Sequence, residues 1–177
     1  DRLEFDVAIF SNLTLDHLDY HGSMDHYAAA KKKLFDKIGR RDSKKQEAKW
    51  ALINRDSPWA SYMAEGCSGQ QLSFGVEIGA DLVASNIMLT QRGTHARVSY
   101  QGKSVDCFWP FPGRFNIYNC LAAIATCLTR NIPLDLIAEH MPSLLPVPGR
   151  LQPVENTLGL KIFVDFAHTD DALLNAL

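Results

Sequence analysis

No run of about 18 apolar residues occurs in the 177-residue chain, so nothing in it reads as a membrane-spanning helix. No signal-peptide pattern is found either, and a cytoplasmic location is the expectation. The four cysteines form no CxxC pair. Cys120 and Cys127 lie seven apart on one apolar helix face, which fits buried free thiols in a reducing compartment. Charge of one sign is also lacking: 18 Lys and Arg against 20 Asp and Glu leave a net charge of -2, no global field for nucleic acid or an anionic membrane. Nine of those 18 cations fall between Lys31 and Lys49, but without an interleaved aromatic pattern they read as a solvated helix end and loop. No GxxxxGK[ST] occurs, so a loop of that kind for cradling phosphates is missing from this chain.

What is present is 46% apolar content, enough for one good core without disulfides. FDVAIF (5–10) is a nearly continuous apolar run, the pattern of a strand covered on both faces of a parallel sheet. Ser23 is a good N-cap for a helix from Met24 to about Ile38, with Asp25 favourable in its first turn. WALIN (50–54) reads as a second buried strand, and Ser57-Pro58 predicts a helix ending near Gly66. Alternating strands and helices mean βαβ units, hence an α/β class with a mostly parallel sheet. From about 81 to 109 three β-rich runs, LVASNIMLT, THARVSY and SVDCFWP, are separated by turns at Arg92-Gly93 and Gln101-Gly102, which predicts a small antiparallel meander inserted in the α/β domain. A helix from Asn116 to Arg130 with Asn119, Cys120, Ala123 and Cys127 spaced to pack, a short helix over 133–140, and strands over 151–155 and 160–165 complete the reading. From length alone, one domain is the default. The chain begins close to a strand and stops inside the amphipathic DALLNAL, so both ends are expected to be cut from something larger.

The stretch DHLDYHGSMDHYAAAKKK (16–33) concentrates Asp16, His17, Asp19, His21, Asp25 and His26 directly after the first strand. Imidazoles and carboxylates there sit where open α/β sheets place their sites, and would suit zinc, or magnesium if phosphates supplied further ligands. Singly, His21 and His26 read as surface residues or caps, which leaves His17 as the best metal candidate. At 100° per residue, Tyr27, Lys31, Leu34 and Ile38 share a narrow helical sector, so Lys31 is predicted to lie in the buried stripe. A buried lysine either snorkels to water along its stem or loses its proton and becomes nucleophilic.

The run NLTLDHLDYHGSMDHYAAAKKKLF (12–35) closely resembles the central-domain signature of the Mur ligases, ATP-dependent amino-acid ligases of peptidoglycan precursor synthesis. FPGRFNIYNCLAAIA (111–125), PVPGR (146–150) and VDFAHTDDAL (164–173) agree with the same family in order and spacing. The DHLDYHG wording and the D-[YF]-A-H-T ending look most like the branch that adds the third residue, meso-diaminopimelate or L-lysine, to UDP-N-acetylmuramoyl-L-alanyl-D-glutamate. The resemblance implies an ADP-forming reaction: ATP phosphorylates the substrate carboxylate, and the amine of a free amino acid then displaces phosphate. It implies that Lys31 is N6-carboxylated and, with His17, helps hold Mg²⁺. It also implies that Asn119, with Asn116 beside it, contacts the nucleotide, that Arg150 reaches the ATP phosphates, that Asp165 binds the ribose, and that His168 belongs to the same hinge motif. Asp170 stands where the family usually has proline. The resemblance further implies that residues 1–150 are the latter part of the family's central ATP-binding domain and 151–177 a hinge and the start of the next, that its UDP-binding and amino-acid-binding domains lie outside this stretch, and that the stretch by itself should not turn over ATP. Rival readings are another Mur-type ligase, a folylpolyglutamate synthase, a metal-dependent hydrolase using Asp16, His17, Asp19 and His21, and a binding module built on the meander, which would show a large exposed apolar patch there.

Overall fold

The computed structural model describes residues 4–14, 18–38, 48–169 and 172–174. β1 (Val7–Phe10) and β2 (Trp50–Asn54) pair in parallel, Val7 opposite Trp50 and Phe10 opposite Ile53. β2 is buried along its length after Trp50, as its unbroken apolar run requires. β1 is shorter than the run FDVAIF and one-sided: Ala8 and Phe10 are buried, whereas Ile9 is 43% exposed and does not have the double cover expected of it.

α2 (Met24–Lys37) starts where the Ser23 cap places it, the hydroxyl accepting from the His26 N–H at 3.2 Å. Its buried face is the expected one in part, since Ile38 is buried and Tyr27 and Leu34 pack against the same core. Ala28 and Phe35 are buried, and Lys31 is exposed. The helix is phased by Phe35, whose ring meets Phe10 edge-on at 6.2 Å beneath the sheet. α1 (Leu18–His21) is a single turn before it. α3 (Ala60–Ala64) begins two residues later than Ser57-Pro58 predicts; Ser57 instead caps a turn, its hydroxyl accepting from the Trp59 N–H at 3.4 Å.

β3 (Gln70–Gly75) had no clear signature, because QQLSFG is polar at one end and closes on glycine. Parallel pairing with β2 over Trp50↔Gln70 to Asn54↔Phe74 makes it a strand. β3 then pairs in parallel with β4 (Leu82–Thr90) through Phe74↔Leu82 and Gly75↔Val83. β4, β5 (Gly93–Tyr100) and β6 (Lys103–Trp109) are antiparallel neighbours, turning at Gln91-Arg92 and at Gln101-Gly102, where both φ angles are positive. The antiparallel meander expected over about 81–109 is present. Among the described residues it continues the parallel strands in one six-stranded sheet of order β1 to β6.

Both faces of that sheet are covered. On one side α4 (Phe115–Thr129) packs Ile117, Leu121 and Ile124 against Leu52, Leu72, Phe74, Leu82 and Trp109. On the other, Phe35, Ile38 and Met63 cover Phe10, Ala51 and Ile53. Successive β2 residues thus serve opposite layers, the geometric meaning of its apolar run. Each fully buried Leu, Ile or Phe contributes about 1.5–3 kcal/mol. Cys120 packs inward with this core, but Asn119 and Ala123 face out, so the four-residue stripe expected on α4 divides between core and surface. α5 (Leu134–His140) and a 3-10 turn (Met141–Ser143) close under β6. β7 (Gln152–Val154) and β8 (Ile162–Val164) form their own antiparallel pair. Among the described residues no helix is long and apolar enough to cross a membrane.

Candidate functional site

The loop after β1, the first turns of α4, the PVPGR turn and the segment after β8 line one cavity of about 720 Å³. Asn12 enters from the end of β1. Arg114, Phe115, Tyr118 and Asn119 come from α4, and Arg150, Asp165, Phe166, His168 and Thr169 from the chain around β7 and β8. Of the residues assigned from sequence, the structure therefore gathers Asn119, Arg150, Asp165 and His168.

Asp165 does not cap a following helix. One carboxylate oxygen accepts from the Leu151 N–H at 2.7 Å and the other from the Ala167 N–H at 2.7 Å, pinning the end of β8 to the PVPGR turn. Phe166 adds a backbone bond to the Gly149 carbonyl at 2.9 Å. Gly149 has a φ of 71°, a left-handed turn that glycine adopts without strain. Each Asp165 oxygen keeps a lone pair for a further donor, such as a sugar hydroxyl. Arg150 lies over the Phe166 ring, 5.6 Å from its centre, which orients the guanidinium while leaving its N–H edge open. The His168 ring donates through Nδ1 to the Phe166 carbonyl at 2.9 Å and meets the Phe166 ring edge-on at 5.2 Å, leaving Nε2 as its acceptor.

Asn116 is buried and does not line the cavity. Its amide N–H donates to the Pro112 carbonyl at 2.7 Å and its oxygen accepts from the Asn119 amide at 3.1 Å, so it holds Asn119 rather than capping α4. Burial first, and the Asp56 carboxylate second, push the Tyr118 phenol above its ordinary pKa, so it stays protonated. Asp56 itself accepts from the Val76 N–H at 2.7 Å at the end of β3.

His17 and Asp16 lie outside the described residues. Lys31 is not among the cavity-lining residues. Its ammonium sits 5.3 Å from the centre of the Tyr27 ring, which also stacks on the His21 imidazole at 4.6 Å. The burial expected of Lys31 is therefore absent, because Tyr27 occupies the boundary between core and solvent and Lys31 lies beyond it. Lys32 is the half-buried lysine of this helix, bonded to Asp36 at 2.7 Å and to the Glu65 carbonyl. His26 contacts the His21 carbonyl through Nδ1 at 3.2 Å, a local role. Among the described residues no three His, Cys, Asp or Glu side chains converge as a metal cluster.

Sequence reasoning missed Asn12, Arg114, Tyr118, Phe166 and Thr169. All five fall inside the quoted motifs, so the motif boundaries marked them, but nothing in their spacing shows that three distant segments meet. A larger opening of about 1010 Å³ between the β4–β6 strands and the β7–β8 pair is lined by residues such as Leu89, Arg92, His95 and Phe108, and by none of the predicted ones. On the meander the exposed large apolar residues are Met88 and Leu89, too few for the binding-module reading.

The Mur ligase middle domain family matches residues 1–127. A UDP-N-acetylmuramoyl-L-alanyl-D-glutamate--2,6-diaminopimelate ligase of Geobacillus kaustophilus is 38% identical over 174 residues, 98% of this chain and 35% of its own length. The enzyme of that name from Chlamydia pneumoniae is 38% identical over 175 residues, 98% of this chain and 34% of its own. This chain thus spans about a third of the length of these curated relatives. Among solved structures, MurF from Acinetobacter baumannii superposes with a TM-score of 0.82 at 22% identity, covering 97% of this chain and 36% of that one. A UDP-N-acetylmuramoyl-L-alanyl-D-glutamate--2,6-diaminopimelate ligase structure does so at 0.76 with 29% identity, covering 96% and 34%. MurF ligase from Thermotoga maritima, solved in complex with ADP, gives 0.79 at 21% identity, covering 97% and 38%. The two MurF likenesses speak to the fold, a mixed α/β sheet of the same design, while the family match and the curated relatives speak to descent. The chain belongs to the Mur ligase family.

Proposed function

We propose that the complete protein containing this chain is a cytoplasmic, ADP-forming ligase that adds meso-diaminopimelate to UDP-N-acetylmuramoyl-L-alanyl-D-glutamate in peptidoglycan synthesis. The observation that carries this is the meeting of Asn119, Arg150, Asp165 and His168, from separate motifs, around one cavity in a chain of this family. The cavity suits ATP chemically: Asp165 has acceptor capacity for ribose hydroxyls, Arg150 offers a planar fork of donors to phosphate, and Asn119 offers an amide to the base. When bound, ATP supplies the phosphoryl group that activates the substrate carboxylate. The residues of this chain hold and orient it. Diaminopimelate is preferred over L-lysine because the curated relatives are named for it.

Magnesium binding is part of the same reading, assigned to His17 and to Lys31 as its N6-carboxylate. The motif supports it. The exposed position of Lys31 removes the desolvation argument for a neutral amine, and no set of described residues offers an alternative metal site. Residues 1–150 would then belong to the central domain and 151–177 to the hinge and the start of the next. No role in nucleic-acid or membrane binding is proposed.

The test is ligation by the complete protein, with UDP-N-acetylmuramoyl-dipeptide, ATP, Mg²⁺ and either meso-diaminopimelate or L-lysine. ADP release that requires both the dipeptide and meso-diaminopimelate is the expected result. Release with L-lysine alone would correct the amino acid, and release with neither would overturn the reading.

A further inference from the structure

The cavity wall includes a residue from the loop after β1 whose chemistry is set by its own backbone. Asn12 follows β1 directly, and its side-chain oxygen accepts from the Leu13 N–H at 2.8 Å. A backbone N–H only donates, so the atom facing it is the oxygen and the amide NH2 is turned the other way. The Ser57 hydroxyl lies 3.5 Å from the same oxygen, at the limit of a hydrogen bond, and biases it the same way. Leu13 is 6% exposed, so losing this acceptor would leave its N–H poorly solvated, which favours the Asn12 orientation. The loop below is tied down as well: the buried Asn54 amide donates to the Ser11 carbonyl at 2.6 Å and accepts from the Asp56 N–H at 3.1 Å. Asn12 is exposed and lines the cavity, and among the described residues its NH2 has no partner.

We propose that Asn12 is a further phosphate-binding residue of this cavity, its committed oxygen leaving a fixed pair of N–H donors for the phosphate chain of the nucleotide. Phosphate oxygens only accept, so a group reduced to donors matches them, whereas a purine edge offers donors and acceptors alike. The position agrees, since the carboxyl end of a parallel strand is where such sheets hold their ligands. The hinge residues Asp165 and Phe166 are left to the sugar and base. Arg114 and Arg150 line the same cavity and give it the positive charge a polyphosphate requires. This assignment rests on the nucleotide reading given above.

The experiment uses the complete protein and measures Kd for adenosine, ADP and ATP with Asn12→Asp, Asn12→Ala and Asp165→Asn. Asn12→Asp keeps an oxygen for Leu13 and replaces the donors with a charge that repels phosphate. It is expected to raise Kd for ADP and ATP by about tenfold or more while leaving adenosine within about twofold. Asn12→Ala is expected to weaken ATP by a few fold with the same selectivity, and it guards against misfolding of the charged variant. Equal loss of adenosine and ATP would show a displaced loop and overturn the proposal. So would an unchanged ATP Kd in both Asn12 variants when Asp165→Asn weakens binding, with the nucleotide reading intact. If Asp165→Asn also changes nothing, the nucleotide reading fails first and this proposal with it.

Discussion

Lys31 stands on the solvent side of Tyr27, one position past the boundary that a helical wheel draws for it. The role proposed for it, a carboxylated metal-site residue, rests on the motif alone, and small-molecule rescue separates that role from packing. In the complete protein Lys31→Ala is expected to lower kcat on the order of a hundredfold, and added acetate or formate should restore part of it. Full activity without the acid would return Lys31 to an ordinary surface lysine. Asp165 makes a sharper residue-scale case. Asp165→Asn turns one acceptor into a donor facing the N–H of Leu151 or Ala167. The expected cost is roughly ten- to a hundredfold in ATP affinity, with a drop of a few degrees in Tm from loosening the tie between the end of β8 and Leu151. Calorimetric titration and a thermal melt on the same variant check both.

At the scale of elements, the phase of α2 decides which of its residues hold the protein together. Phe35→Ala should destabilise by about 3–5 kcal/mol because Phe35 fills the space beside Phe10. Tyr27→Ala should cost less than half as much, and denaturant unfolding of the two variants would reverse that order if the helix were phased on Tyr27 and Lys31. The meander depends on glycine in a different way. Gly93 has a φ of 148°, and a Cβ there would strike the Trp109 carbonyl of β6. Gly102 has a φ of 78° and open space around it. Gly93→Ala is therefore expected to cost about 2–4 kcal/mol and Gly102→Ala only about 1, measured by urea midpoints. These turns, the Ser23 cap, β2 and the bounds of α4 were all legible locally, because each rests on contacts within a few residues. β3 was not, since its polar half becomes a strand only by pairing with β2.

Among the described residues the six-stranded sheet lies between α4 on one face and α2 with α3 on the other, and the cysteines report on that enclosure. Burial pushes the Cys107 thiol up to about 11 and the Cys120 thiol up to about 12, so both stay protonated and inert near neutral pH. Cys67 and Cys127 are only partly buried. Alkylation with iodoacetamide at pH 8 should modify Cys67 and Cys127 well before Cys107 and Cys120, and denaturant should abolish the difference, as peptide mass spectrometry would show. Early labelling of Cys120 would mean that α4 does not seal the core.

The sequence by itself determined the α/β class, β2, the three strands of the meander with their antiparallel turns, the helices α2, α4 and α5, and the membership of four motifs in one family. Those are properties of period, cap and turn chemistry, which act over a few neighbouring residues. Only the tertiary structure decided that the meander extends the parallel sheet, that α2 is phased by Phe35 so that Lys31 faces water, and that Asn116 supports Asn119 from beneath. It also decided that Asn12 shares a cavity with Arg150 and Asp165, residues far along the chain. Such outcomes follow from which surfaces cover one another and which buried N–H must find an acceptor, and neither is written in local pattern.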